Sequence, residues 1–98
     1  MKFIFDIHWS ITDSEREFDQ RLLLLLSGIN QTGSLQTTAS ECGISYRTAW
    51  QIIRYWNTAF HTPLCVMEKG RGTRLTQLGH KLVETKNAIQ GILERFYD

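Results

Sequence analysis

The apolar positions of this chain change period along its length, and each change marks an element. Phe3, Phe5, Ile7 and Trp9 alternate with Lys2, Asp6 and His8, a period of two that predicts a half-buried strand over Met1 to Trp9, with Ile4 out of step. From Ser14 to Asn30 the period becomes helical, with Phe18, Leu22, Leu25, Leu26 and Ile29 on one face. Thr12-Asp13-Ser14 offer capping side chains there, and Glu15 and Glu17 suit the positive end of a helix. Gln31-Thr32-Gly33 stops it.

Two short capped units follow. Ser34 caps a helix from Leu35 to Cys42, and Gly43 ends it, because glycine takes positive φ at a C-terminal cap without steric cost. Ser45 then caps a longer helix, Tyr46 to Phe60, whose apolar side is Ala49, Ile52, Ile53, Trp56 and Phe60. Two helices crossing over a tight turn need a small residue at the crossing, and Ala39 supplies one. This punctuation predicts a helix-turn-helix over about 34–60, a unit that sets its second helix against the major groove of duplex DNA.

Pro63, the one proline, closes that region. Leu64 to Lys69 reads as a strand, Gly70-Arg71-Gly72 as a tight turn and Thr73 to Leu75 as the return strand, so a basic hairpin, or wing, spans about 64–75. The strand at the N-terminus needs a partner, and the only other strand candidates lie beyond residue 62, which places it beside this hairpin. Thr76 caps a last helix running over about 76–98. Leu75, Leu78, Leu82, Thr85, Ile89, Ile92 and Phe96 recur along it at alternating spacings of three and four, a seven-residue seam. Such a seam either meets another long helix or docks on the domain's own core. A domain of this size has little core left to cover so long a helix, so Leu78, Leu82, Ile89, Ile92 and Phe96 are expected at a dimer interface. Gly79 and Gly91 point to close packing or a bend.

The chain is therefore expected to be one domain over 1–98, mainly α with a small antiparallel sheet. The architecture expected is a winged helix-turn-helix with an N-terminal strand and a long C-terminal dimerisation helix.

Net charge is only +1, but it is unevenly spread. Met1 to Gly33 carries three basic residues against five acidic ones, whereas Ile44 to Lys81 carries six basic residues against Glu68 alone. The basic excess sits where a DNA-binding surface would face phosphate. The first turn of the second helix presents Ser45, Tyr46, Arg47 and Thr48, and Gln51, Arg54 and Tyr55 follow one and two turns on. Arg47 and Arg54 suit bidentate bonds to guanine or phosphate, the alternative being solvated surface charge. Tyr46 either contacts DNA or packs within the domain. Ser34 and Thr37 open the first helix of the motif, where hydroxyls and free N–H groups suit a phosphate. Arg71 at the wing tip suits the minor groove, with Lys69 and Arg74 tracking the backbone. Trp50 and Trp56 lie on or beside the apolar side and are expected in the core.

The run Ile44-Ser45-Tyr46-Arg47-Thr48-Ala49-Trp50, preceded by Gly33-Ser34-Leu35, resembles the DNA-binding domain of ModE-type, molybdate-responsive transcriptional regulators. Leu75-Thr76-x-x-Gly79-x-x-Leu82 after a basic glycine hairpin is shared by that family and by the wider LysR-type regulators. The resemblance covers about Phe18 to Asp98 and implies a dimeric winged-helix domain that binds double-stranded DNA. In ModE-type regulators the molybdate site lies in a separate C-terminal region. This chain is expected to end before that region, so molybdate sensing is not implied for it. The wing is also shorter than that family's glycine-rich one.

Other chemistries find little footing. Cys42 and Cys65 have apolar sequence neighbours and are expected as buried reduced thiols, the alternatives being a disulfide or a metal site. His8, His61 and His80 are scattered without ligand partners, so no metal and no cofactor are expected, and Gly70-Arg71-Gly72 is too short to cradle a small-molecule phosphate. An enzyme is not expected, and the alternative function is a winged-helix protein-interaction module. The Leu22 to Leu26 run is too short to span a bilayer, the N-terminus lacks a secretory leader pattern, and a cytoplasmic location is expected.

Overall fold

The computed structural model describes residues 20–97, without the Tyr97 side chain. The expected strand over Met1 to Trp9 and the start of the first helix, with Phe18, lie outside the described residues. Four helices and one hairpin follow in the order α1 (Gln20–Thr32), α2 (Leu35–Glu41), α3 (Tyr46–Phe60), β1 (Cys65–Glu68), β2 (Gly72–Leu75) and α4 (Gln77–Tyr97). No helix among the described residues is long and apolar enough to cross a membrane.

Helix α1 buries Leu22, Leu25, Leu26 and Ile29, one stripe at helical spacing, and leaves Leu24 outside. It stops where Gly33 turns to φ +71° and returns its N–H to the Ile29 carbonyl at 2.8 Å. Ser34 then adopts extended geometry, and its hydroxyl accepts the Thr37 N–H at 3.0 Å, starting α2. The α2–α3 turn is a Schellman motif built on Gly43, φ +74°: Gly43 N–H bonds to the Ser40 carbonyl and Ile44 N–H to the Ala39 carbonyl. Ser45 caps α3 as Ser34 caps α2, accepting the Thr48 N–H at 3.0 Å.

Leu35 and Ala39 of α2, Ala49, Ile53 and Trp56 of α3, and the α1 stripe form one core with Leu64, Cys65, Leu75 and Val83. Ala39 is buried, as its size suggests, and α1 and α2 also approach closely at Gly28. A Cβ on Gly28 would fall onto the Thr38 side chain. Thr38 can be buried there because its hydroxyl donates to the Ser34 carbonyl at 2.8 Å and lies 3.1 Å from the Thr32 hydroxyl.

The strands pair antiparallel, Cys65 with Leu75 and Glu68 with Gly72, so Lys69-Gly70-Arg71 forms the turn. The hairpin base is stapled to the α1–α2 junction. Thr73 N–H donates to the Gly33 carbonyl at 2.9 Å, and Leu35 N–H donates to the buried Thr73 hydroxyl at 3.3 Å. No side chain fits at Gly72, whose Cβ would meet that same Gly33 carbonyl. At the other end Thr76 caps α4, accepting the Gly79 N–H while donating to the Pro63 carbonyl. Gly79 lets α4 press against the Leu64 carbonyl, which also accepts the Thr76 N–H.

Three expectations are refined. Cys65 is buried but Cys42 is exposed, and both thiols are free. Cys42 is the C-cap of α2, one residue past its last turn, so its apolar sequence neighbours face the core while it faces outward. The α4 seam divides: Leu75 is buried, and Leu78 and Leu82 pack on the chain's own core, whereas Ile92 is 57% and Phe96 73% exposed, with Ile89 between. Of the two α4 glycines only Gly79 meets a neighbour; a Cβ on Gly91 would point into open space.

Candidate nucleic-acid interface

The amphipathic pattern of α3 decides what the molecule can present. With Ala49, Ile52, Ile53 and Trp56 turned inward, Arg47, Gln51 and Arg54 project from the opposite side, at spacings of four and three. All three are exposed, and among the described residues no side-chain hydrogen bond or ion pair engages them. Arg47 and Arg54 thus offer planar sets of N–H donors with no acceptor spent on them, and Gln51 offers a donor and an acceptor side by side.

The first turn of α3 is held more tightly. The Ser45 hydroxyl accepts from the Thr48 backbone and donates to the Thr48 hydroxyl at 2.9 Å, leaving the Thr48 proton free to donate outward. Tyr46 is 40% exposed, but its hydroxyl is committed within the chain. It accepts the Trp50 indole N–H at 2.7 Å and donates to the Met67 sulfur at 3.5 Å, with the two rings edge to face. These contacts pack one edge of Tyr46 within the domain and leave the rest of the ring exposed beside Arg47. Trp56 is buried in the core, while Trp50 is half-buried at its edge.

This Tyr46–Met67 contact ties the start of α3 to β1, just as Thr73 ties β2 to the start of α2. The beginnings of both motif helices and the wing are therefore joined through named contacts. Ser34 and Thr37 lie at the α2 start, Ser34 with its hydroxyl spent on the cap and Thr37 exposed.

The wing carries Lys69, Arg71 and Arg74, all exposed. Two of these cations are paired. Val66, Glu68, Gly72 and Arg74 share one face of the hairpin, and there Arg74 donates to one oxygen of the Glu68 carboxylate. Arg71 approaches the other oxygen at 3.9 Å, its backbone N–H bonding the Glu68 carbonyl at 2.9 Å. Nothing in the residue pattern alone announces this arrangement, beyond the fact that Glu68 is the one acid in the basic stretch.

The remaining candidates for chemistry are sparse. Among the described residues, no group of three or more His, Cys, Asp or Glu side chains is placed to hold a metal ion. Burial pushes the Cys65 thiol up from 9.0 to about 11, so it stays protonated and unreactive at neutral pH.

No protein-family model matches the chain. Its sequence is 32% identical over 84 residues to the transcriptional regulator ModE of Yersinia pestis, covering 82% of this chain and 32% of that protein. It is 36% identical over 76 residues to the molybdenum transport protein ModE of Herbaspirillum seropedicae, covering 74% of this chain and 28% of that one. The chain thus spans about a third of the length of the curated relatives it matches. Among solved structures, the CbnR_DBD–DNA complex superposes with a TM-score of 0.66 at 19% identity, covering 80% of this chain and 88% of that one. CbnR is a LysR family transcriptional regulator. At that identity the likeness concerns the fold, and it is a winged helix. Over the matched part of its length, this chain is a homologue of the ModE transcriptional regulators, built on the winged-helix fold of LysR-type DNA-binding domains.

Proposed function

We propose that this chain binds double-stranded DNA sequence-specifically, as a homodimeric transcriptional regulator. The observation that carries the proposal is the outward side of α3, where Arg47, Gln51 and Arg54 stand exposed and unpaired among the described residues. Buried or partnered, these side chains would be structural. Left unspent on the helix of a winged-helix motif, they suit base edges in the major groove. That ModE relatives are named transcriptional regulators, and that a structural neighbour is a DNA complex, favours the same partner.

Each part then has a role. Arg47, Gln51 and Arg54 read bases or clamp phosphate, with Ser45 and Thr48 presenting the first turn. Tyr46 sets the angle between α3 and the wing. Lys69, Arg71 and Arg74 follow the backbone beside the groove, and Ser34 and Thr37 flank it at the start of α2.

The distal half of α4 supports the dimer. Ile92 and Phe96 are exposed, Ile89 half so, on a helix whose proximal half already covers the core. A second copy would bury them and set two α3 helices about 34 Å apart, in successive major grooves. Leu78 and Leu82 would support this interface from the core side.

Titration of a random duplex tests the function. Affinity is expected to fall roughly tenfold or more between 50 and 200 mM salt, as released counterions require. Absent or salt-insensitive binding contradicts it, and would favour a protein-interaction module. Sedimentation of Ile92→Glu with Phe96→Glu tests the dimer: the variant should be monomeric at concentrations where the parent is dimeric.

A further inference from the structure

Glu68 is the single acidic residue between Ile44 and Lys81, and the fold places it between two arginines. Its side chain is only 28% exposed, whereas the Arg71 and Arg74 side chains are 77% and 62% exposed. Each oxygen serves one guanidinium: Arg74 on one, Arg71 near the other. The hairpin register enforces this, because Val66, Glu68, Gly72 and Arg74 share a face and the turn brings Arg71 back over it. The pairs add little to stability, since exposed guanidinia hold a carboxylate only weakly against water.

A carboxylate offering two oxygens to a pair of arginines presents the geometry that a DNA phosphate would. We propose that Glu68 is an internal phosphate surrogate: it occupies the wing arginines in the free protein and so attenuates sequence-independent binding to the DNA backbone. This rests on the DNA-binding reading and deepens it, by assigning a residue that weakens contact with the wrong sites. An arginine released from Glu68 engages phosphate only by giving up that partner. The wing therefore neutralises one phosphate fewer than its count of cations allows. Arg47 and Arg54 have no such partner among the described residues, so sequence reading on α3 is not attenuated in the same way.

The test is a titration of random-sequence duplex over a range of salt with the parent chain, Glu68→Gln, Glu68→Gln with Arg74→Gln, and Glu94→Gln. Glu94 lies near the end of α4 and accepts a bond from Gln90, so its variant adds the same charge away from the wing. Glu68→Gln is expected to bind random duplex more tightly at low salt. Its log–log salt slope should be steeper by about 0.9, the contribution of one further phosphate. Its advantage should then shrink roughly threefold for each fourfold rise in salt. Removing Arg74 as well should return the slope to the parent value, and Glu94→Gln should leave it there. Thermal melting of every variant separates misfolding from altered binding. A parent chain that binds while Glu68→Gln keeps the parent slope, or shifts no more than Glu94→Gln, overturns this proposal alone. A parent chain that does not bind duplex overturns the DNA-binding reading and this proposal together.

Discussion

The inner and outer sides of α3 lie one helix diameter apart, roughly 10 Å, and they answer to different constraints. On the inner side Ala49 and Ile53 are sealed from water and Trp56 nearly so, within a core whose other elements meet at Gly28, Gly72 and Gly79 too closely for a side chain. On the outer side Arg47, Gln51 and Arg54 extend into solvent without a partner among the described residues. In the core that this side joins, the buried Thr38 and Thr73 hydroxyls are both hydrogen-bonded, while the buried Ser27 hydroxyl on α1 has no partner. The outer side holds donors in reserve. Planar cations left without partners on one helix face are what the proposed DNA-binding reading rests on.

The contrast is broken most severely from within. Gly79→Ala would drive a Cβ into the Leu64 carbonyl, a backbone atom fixed by the Thr76 N–H. We expect a loss of about 2–4 kcal/mol of stability, read by urea denaturation, with any fall in DNA affinity tracking the unfolded fraction. The outer side should behave in reverse. Arg47→Ala should cost about 1–3 kcal/mol of binding to a preferred duplex while changing stability by less than about 0.5 kcal/mol. Loss of stability without loss of affinity would invert the roles of the two sides.

Cys65 sharpens the comparison through pH. Burial raises its thiol from 9.0 to about 11, so the unfolded chain ionises at lower pH than the native one. The stability this contributes is fully present below pH 9 and is lost as pH climbs towards 11, on the order of 2 kcal/mol. Cys65→Ala should lack that loss when the two denaturation curves are compared across the window. In the native protein iodoacetamide should modify the exposed Cys42 and spare Cys65, giving one adduct by mass and two after unfolding. The smallest expected effect is at His61, which closes α3 in a left-handed conformation with φ +55°. There the Thr62 N–H bonds to the Asn57 carbonyl as in a glycine-closed Schellman turn. His61→Gly should stabilise by about 0.5–1 kcal/mol in thermal melting, because glycine takes positive φ without strain.

Much of this is legible in the residue pattern alone. Ser34, Gly43 and Ser45 act within one turn of themselves, so local residue type was enough to place α2 and α3. The outward position of Arg47 and Arg54 followed from the same helical period that turned Ala49 and Ile53 inward. The close approaches were legible only in part. Gly79 reads as a site of close packing or a bend, but that it meets Leu64, that Gly28 meets Thr38 and that Gly72 meets Gly33 depends on how separate elements pack, which local pattern does not give. Cys42 misled for a related reason: apolar sequence neighbours do not bury a residue that has stepped past the last helical turn. The α4 seam was visible as a pattern, but its division between core and solvent depends on where the globule ends. The Glu68 pairing required the hairpin register, which a three-residue turn determines and composition does not.

Backbone amide NMR of the chain titrated with duplex DNA tests the central claim most directly, because it reports where contact occurs. The account predicts shifts concentrated on Ser45 to Arg54 and on Lys69 to Arg74, weaker ones at Ser34 to Thr37, and none along Ile89 to Phe96 beyond those of dimerisation. Shifts confined to α4, or an α3 face unmoved at saturating duplex, would contradict it.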